Sequence, residues 1–323
     1  MSDHAIAIQC PICASNITRA NSARTYIAPF NSKEYTVHRC TQCDLGFWTP
    51  LQIDPAFYED EGFAAYADYH QGERPFPPWC LPFFEKLPIS QGRLLDVGCG
   101  DGAFLARART AGFETWGMDL DKSSVQAAIT NFGLERISQA TLENFVLQCR
   151  SDVTSFDVIT FFEVLEHQDR PSDFIDQILS ILKPGGYVAG SVPNDRRLLA
   201  GLDRKISPGD LPPHHFLWFS RKTLQSLFSG KEFGSVLIHP SGNIPFAELR
   251  EKFAALLYSK LAKTHEPSLL LRAAGLPVVW VSAVALNLLY RFAPAHLYFQ
   301  AVKPNLPDVG APAAMRHLQE STA

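Results

Sequence analysis

A glycine-rich turn after an apolar strand candidate constrains this chain most. Residues 94–102 read Leu-Leu-Asp-Val-Gly-Cys-Gly-Asp-Gly, so an apolar run leads into a carboxylate and then into three alternating glycines. Glycine permits positive φ and a close approach of the backbone to a ligand, and residues 103–111 that follow have a helical pattern. The stretch therefore predicts the first strand, ligand-binding turn and first helix of an α/β nucleotide-type fold.

Asp96 separates two classes of ligand for this turn. Gly98, Gly100 and Ala103 also satisfy G-x-G-x-x-A, the pattern of dinucleotide sites. A dinucleotide would place its anionic pyrophosphate beside Asp96, which would repel it. S-adenosylmethionine carries a cationic amino acid end that a carboxylate attracts. A nicotinamide oxidoreductase stays the alternative, and a titration comparing NAD with S-adenosylmethionine separates the two.

Asp119 is the second acidic landmark. It ends an apolar run about twenty residues after the glycines, where a carboxylate on the second strand can accept hydrogen bonds from ribose hydroxyls. Asp119 could instead cap the helix predicted near 122–132. Asp121 could cap that helix just as well, which favours the ribose role for Asp119.

Three later segments extend the pattern: Phe156 to His167, Leu182 to Val188, and Ser191 to Asn194. Together with the glycine turn they resemble the class I S-adenosylmethionine-dependent methyltransferases, in the expected order over roughly residues 90–240. The resemblance implies a methyltransferase enzyme with a Rossmann-like seven-stranded sheet and helices on both faces. It assigns cofactor binding to Asp96, Gly98, Gly100, Asp119, Leu120, Glu163 and Tyr69.

Alternating strand and helix signals support a parallel sheet covered on both faces. Strands are predicted near 93–98, 115–119, 134–138, 156–162, 186–192, 235–239 and 296–302. Helices are predicted near 103–111, 122–132, 172–182 and 220–228.

Four of the seven cysteines form two C-x-x-C pairs separated by 26 residues: Cys10, Cys13, Cys40 and Cys43. Two tight turns at this spacing present four thiolates to one tetrahedral zinc ion. Four sulfur ligands leave no open position, so the zinc would be structural, and it would supply folding free energy that a small module lacks. The alternative is a pair of redox-active or incidental dithiols.

The predicted organisation has four parts. Residues 1–50 form a zinc-ribbon-like module, and 51–90 form an aromatic linker in which Tyr66 and Tyr69 could fold over the cofactor as a lid or pack into the core. Residues 91–303 form the methyltransferase domain, with a helical insertion at 245–292. Residues 304–323 form a disordered tail.

Charge and hydropathy limit the partners. A net charge of −4 gives no positive field to attract nucleic acid, which is disfavoured as a substrate. The first residues lack a signal-peptide pattern, which predicts a cytoplasmic protein. Residues 268–292 are strongly apolar, but Gly275 and Pro277 interrupt them, so a cap over the substrate cleft is preferred. Peripheral contact with the inner face of a membrane is the alternative.

Two groups of residues could activate an acceptor hydroxyl. An imidazole such as that of His215 or His214 can accept a hydroxyl proton at neutral pH. The alternative is that one of them caps the helix near Ser220. Glu163, Glu166 and His167 form E-x-x-E-H, which resembles the metal-binding residues of ubiquinone-biosynthesis O-methyltransferases. A divalent metal ion there is one hypothesis, and a backbone hydrogen bond from His167 is the other.

The sequence favours O-methylation of a small hydroxylated or glycosyl acceptor, including a lipid-linked one. Two alternatives stay open. The chain partly resembles zinc-containing sugar C-methyltransferases, so the acceptor atom could be a carbon or nitrogen of a sugar or natural product. The chain could also be a non-catalytic protein that binds the cofactor and recruits a partner through its zinc module.

Overall fold

The computed structural model describes residues 8–17, 22–53, 57, 75–198, 200–206, 208–231, 233–242, 284 and 294–305. Tyr66, Tyr69 and the insertion at 245–292, apart from residue 284, lie outside these residues. The tail from 306 lies outside them too, so the lid, insertion and tail stay predictions.

The N-terminal part contains two cysteine turns on short antiparallel strands. Its strands are β1 (Ile8–Gln9), β2 (Asn16–Ile17), β3 (Ser22–Ile27), β4 (Glu34–Arg39) and β5 (Gly46–Thr49). One turn joins β1 to β2 and the other joins β4 to β5. The two turns share a backbone pattern, because Ala14 and Asp44 each have positive φ and donate to Cys10 O and Cys40 O, both at 3.0 Å.

The second part alternates strands and helices. In chain order they are α1 (Leu81–Lys86), β6 (Gly92–Val97), α2 (Ala103–Thr110), β7 (Phe113–Asp119), α3 (Lys122–Phe132), β8 (Ile137–Gln139), α4 (Leu142–Ser151), β9 (Phe156–Phe162), α5 (Pro171–Ile181), β10 (Leu182–Pro193), α6 (Ala200–Ile206), β11 (Leu217–Trp218), α7 (Arg221–Ser229), β12 (Val236–Ser241) and β13 (His296–Val302).

Seven of these strands form one sheet in the order β12-β13-β10-β9-β6-β7-β8. The five strands from β10 to β8 are parallel, and β13 is antiparallel to both of its neighbours. The predicted fold class is therefore confirmed. The carboxyl ends of β6, β7, β9 and β10 all lie at one edge of the sheet, which is where ligands bind in open α/β sheets.

The element boundaries follow from local chemistry. Asp121 caps α3 by accepting from the amides of Ser123 and Ser124, and Ser220 caps α7 with a reciprocal bond to Thr223. Strand β8 starts at Ile137 instead of near residue 134. Gly133 ends α3 in a left-handed turn, and the chain needs further residues to reach the sheet. Helix α4, capped by Thr141, was not predicted from the sequence.

The two parts are joined by a four-stranded sheet, in the order β11-β5-β4-β3, and by a common apolar cluster. Strand β11 belongs to the second part, yet it pairs with β5 through Leu217↔Phe47 and Trp218↔Gly46. Thr223 on α7 donates to the carbonyl of Cys43 at 2.9 Å. One apolar cluster contains buried side chains from both parts, and a second cluster lies within the second part. Among the described residues, no helix has the length and apolar character needed to cross a bilayer.

Gly190 in the middle of β10 leaves no space for a side chain. A Cβ there would lie 2.2 Å from Phe161 O and 2.7 Å from Phe299 Cζ. We expect Gly190→Ala to lower the free energy of unfolding by about 1–3 kcal/mol, because the neighbours are backbone and a packed ring. Chemical denaturation measures this. Gly201→Ala is the control, since no residue in the described part of the chain lies within 4 Å of its Cβ position; equal stabilities for the two variants would contradict the prediction.

Candidate active site

The glycine turn lies at the carboxyl edge of the sheet, directly after β6. Gly98 and Gly100 have φ of +72° and +52°, which explains glycine at both positions. A Cβ on Gly98 would also lie 2.7 Å from Val164, so this turn packs against the loop that follows β9. Among the described residues, nothing lies within 4 Å of the Cβ position of Gly100, so none of them blocks the approach of a ligand to its backbone.

Two carboxylates flank the turn. Asp96 is 3% exposed and accepts a hydrogen bond from Thr160 Oγ1 at 2.7 Å. Burial raises the pKa of Asp96 well above its usual range. Asp119 accepts from the amide of Gly100 at 2.8 Å and from that of Asp121 at 3.0 Å. Burial raises the pKa of Asp119 as well, although these amide hydrogen bonds oppose the shift.

Glu163 follows β9 at the same edge. Its φ is +55°, which is unusual for a residue with a side chain and points to a constrained position. Ser191 donates to Glu163 Oε1 at 2.6 Å, and His296 Nε2 lies 3.4 Å from Oε2. Burial raises the pKa of Glu163 to about 8. The carboxyl group therefore faces β10 and β13.

Three histidines meet beside this position. His167 lies in a 3₁₀ turn after β9, and His214 and His215 lie in the loop before β11. Their ring centroids are 4.4 to 4.8 Å apart. Burial lowers the pKa of His167 well below its usual range and that of His214 to about 3, so both rings are neutral at pH 7. Ser220 caps the following helix, so neither His214 nor His215 does so.

Glu166 points into the histidine cluster. It is 1% exposed, and neither carboxylate oxygen has a hydrogen-bond partner among the described residues. Its Oε1 lies 4.0 Å from Nε2 of His167 and 4.0 Å from Nε2 of His215. Burial, with the charge of Glu163 adding to it, raises the pKa of Glu166 well above its usual range.

A chain of ion pairs connects the N-terminal part to His215. Arg39 on β4 contacts Asp195 at 2.7 Å, and Asp195 contacts Arg204 at 2.8 Å. Arg204 contacts Asp210 at 2.6 Å, and Asp210 accepts from His215 Nδ1 at 3.2 Å. Burial opposes ionisation of Asp210, but His215 and the nearby arginines outweigh it and lower its pKa.

The four clustered cysteines lie close enough to share an ion. Their sulfur atoms all lie within 4.8 Å of one another, with Cys10 to Cys43 and Cys13 to Cys40 each at 3.5 Å. Tetrahedral bonds of about 2.3 Å to zinc would separate the sulfurs by about 3.8 Å. The donor set and its dimensions fit a structural zinc ion.

A profile of the methyltransferase domain family matches residues 70–239. This chain belongs to that family. The match spans the glycine turn, both flanking carboxylates and the histidine loop, and it confirms the family and enzyme class that the motifs predicted.

Curated relatives of this methyltransferase match over shorter stretches. The mitochondrial ubiquinone biosynthesis O-methyltransferase of Dictyostelium discoideum is 29% identical, over 44% of this chain and 50% of its own length. The ubiquinone biosynthesis O-methyltransferase of Paraburkholderia phymatum is 34% identical, over 32% of this chain and 44% of its own length. This chain thus spans half or less of the length of these two relatives.

Solved structures share the fold at low identity. A chain from the Haloferax volcanii complex of the Trm112 methyltransferase activator with a methyltransferase is 16% identical, with a TM-score of 0.53 over 77% of this chain and 98% of that chain. Haemonchus contortus phosphoethanolamine N-methyltransferase 2 is 17% identical, with a TM-score of 0.50 over 84% of this chain and 63% of that chain. Both support the methyltransferase fold alone.

The structure brings most of the predicted site residues of the methyltransferase to one edge. Asp96, Gly98, Gly100, Asp119, Leu120 and Glu163 all lie there, at or after the ends of β6, β7 and β9, and Tyr69 lies outside the described residues. The structure separates the three residues of the predicted metal group. His167 lies against His214 and His215, and Glu166 lies near His167 and His215, whereas Glu163 faces Ser191 and His296.

Sequence reasoning missed three residues of this site: Thr160, Asp210 and His296. Thr160 carried a signal, since it is a hydroxyl residue inside the buried run Val158 to Phe161, and such a group needs a polar partner. His296 reaches the site through a contact with Glu163, which is distant in the chain. Asp210 contacts His215, five residues further along, but no sequence motif marks that pair.

Proposed function

We propose that this methyltransferase transfers the methyl group of S-adenosylmethionine to an oxygen atom of a small hydroxylated or glycosyl acceptor. The observation that carries the proposal is the His215 imidazole, which buried Asp210 orients at the cofactor edge of the sheet. The relatives named as ubiquinone biosynthesis O-methyltransferases support oxygen as the acceptor atom. The cytoplasmic location and contact with a membrane stay predictions.

The proposed cofactor site uses the two carboxylates differently. Asp96, held by Thr160, would face the cationic amino acid end of the cofactor, where an ammonium group supplies the partner that a buried carboxylate needs. Asp119 would accept hydrogen bonds from the ribose hydroxyls, beside Gly98, Gly100 and Leu120. Glu163 and Tyr69 are further proposed contacts.

Methyl transfer is an in-line displacement, so the protein must position both reactants and make the acceptor oxygen nucleophilic. The hydroxyl group loses its proton and its oxygen bonds to the methyl carbon. The bond from that carbon to sulfur breaks, and its electron pair stays on sulfur to give S-adenosylhomocysteine. Asp210 holds the Nδ1–H of His215, which leaves the lone pair on Nε2 for activating the hydroxyl group.

We also propose that Cys10, Cys13, Cys40 and Cys43 bind structural zinc. The sulfur distances support this role, as does the small size of the N-terminal part. No chemical step is assigned to this ion.

Substitution of His215 tests the proposed activity. We expect His215→Ala to lower kcat by about 10²–10⁴-fold, the usual contribution of a group that activates a nucleophile, with unchanged affinity for S-adenosylmethionine. Formation of S-adenosylhomocysteine is measured with a catechol and a methyl glycoside as probe acceptors. His239→Ala, on edge strand β12, is the matched control. Turnover in His215→Ala equal to that of the control would contradict the assignment of His215. Cofactor binding without turnover in the wild type would instead favour a non-catalytic cofactor-binding protein.

A further inference from the structure

The histidine cluster has more converging donors than a single base requires. One ring nitrogen from each of His167, His214 and His215 lies within 4.8 Å of the others. A general base needs one imidazole, and a second residue can orient it. Three imidazoles drawn from two separate loops into one space are the arrangement of a metal site.

The hydrogen bonds of the three rings favour ligation through Nε2. The Nδ1 of His167 lies 2.6 Å from the carbonyl oxygen of His214, and the Nδ1 of His214 lies 2.7 Å from that of Gly209. The Nδ1 of His215 lies 3.2 Å from a carboxylate oxygen of Asp210. All three acceptors favour a proton on Nδ1, which leaves Nε2 of each ring as the metal-binding nitrogen. Metal-binding histidines show this pattern of outer hydrogen bonds.

Glu166 supplies an independent observation. It is 1% exposed, and both of its carboxylate oxygens have no hydrogen-bond partner among the described residues. Its Oε1 is 4.0 Å from the Nε2 atoms of His167 and His215. A buried carboxylate without partners is costly unless a cation or donor satisfies it. The space that it shares with the imidazoles is where a cation would fit.

The geometry points to a divalent transition-metal ion bound by His167, His214 and His215, with Glu166 as a fourth donor. Imidazole-rich sites suit zinc, iron, cobalt or nickel, whereas magnesium prefers oxygen ligands. This donor set differs from Glu163, Glu166 and His167, because the Glu163 carboxyl faces Ser191 and His296. Bonds of about 2.1 Å would hold tetrahedral ligands about 3.4 Å apart, so binding would draw the rings slightly closer together.

The chemical role of this ion rests on the proposed function, whereas its binding does not. An ion held by the three imidazoles keeps a fourth position for an acceptor oxygen, and one that also binds Glu166 can take that oxygen as a fifth ligand. It would lower the pKa of that hydroxyl group, whose proton passes to solvent before the oxygen attacks the methyl carbon. His215 would then act as a ligand and not as the proton acceptor.

Cobalt titration of the full chain, with zinc bound at the cysteines, tests the site. Co²⁺ at a nitrogen and oxygen site absorbs in the visible range without the intense charge-transfer bands of thiolate ligands. We expect one further Co²⁺ ion per chain with such a spectrum, and about a hundredfold or greater loss of affinity in His167→Gln, because removing even an outer hydrogen-bond partner costs 10–100-fold. Glu166→Gln preserves side-chain shape and should also weaken binding.

His239→Gln is the matched control and should bind Co²⁺ like the wild type. Unchanged Co²⁺ affinity in both His167→Gln and Glu166→Gln would overturn the inference, as would the absence of a second ion in the wild type. Circular dichroism confirms that each variant is folded. Metal binding without methyl transfer would refute the proposed function alone, and methyl transfer without metal binding would refute the metal site alone.

Discussion

Replacing Asp119 with alanine should weaken binding of both S-adenosylmethionine and S-adenosylhomocysteine by roughly a hundredfold. Two hydrogen bonds from ribose hydroxyls to a carboxylate are worth about 3 kcal/mol together, which corresponds to about two factors of ten in affinity. The substitution also removes the acceptor for the amide of Gly100, so the glycine turn loses a 2.8 Å hydrogen bond that fixes its position. Isothermal titration calorimetry measures both affinities.

The expected loss of cofactor affinity depends on the negative charge of Asp119 and on its position in the sheet. Asp119→Asn keeps one acceptor oxygen and should give an intermediate loss. Asp157→Asn is the matched control, because Asp157 pairs with Lys183 at the opposite end of the sheet and should leave cofactor binding unchanged. If Asp119→Ala bound the cofactor as tightly as Asp157→Asn, the ribose role of Asp119 would be refuted.

Replacing Cys40 with serine should remove zinc and abolish methyl transfer, although the cysteines are not assigned to the reaction. Structural zinc sites contribute about 10–16 kcal/mol of apparent binding free energy, so a small module that loses its zinc unfolds. Strand β5 would then release β11, which directly follows the histidine loop. The ion pair between Arg39 and Asp195 would be lost as well.

Metal analysis and the activity assay together measure this effect. Protein purified without added zinc should contain about one fewer zinc ion per chain in Cys40→Ser than in the wild type. Cys149→Ser is the control, since Cys149 is buried in α4 away from the other cysteines. Retained zinc in Cys40→Ser would refute the four-cysteine site. Lost zinc with full activity would refute the connection between β5 and the histidine loop.

The central sheet could be predicted from the sequence because its signals are local. Residues 94–102 combine an apolar strand, a carboxylate and a glycine turn within one short stretch, and the middle of β9, Val158 to Phe161, is a buried run. Asp119 could be assigned because its distance from the glycines is set by one strand-helix-strand unit. The hydrogen bond from Gly100 shows that Asp119 lies beside the glycine turn, and its ribose role stays a prediction.

The histidine cluster could be predicted only in pieces. His167 and the pair His214 and His215 were each recognised as candidates, but their meeting depends on how two loops pack at the sheet edge. The pairing of β5 with β11 has the same origin, because two short strands far apart in the sequence carry no signal of their partner. Glu163 was grouped with Glu166 by sequence proximity, yet its positive φ turns its side chain toward Ser191.

The way the chain leaves and re-enters the sheet bears on how such proteins diversify. Ser241 at the end of β12 pairs directly with His296 at the start of β13, and Ala295 donates to the carbonyl of Gly242. The segment between them thus starts and ends at neighbouring points on the carboxyl edge of the sheet. Lengthening, shortening or exchanging that segment would leave the sheet register intact. Evolution or recombination could therefore change this segment while the strands that carry the glycine turn and its carboxylates are inherited unchanged.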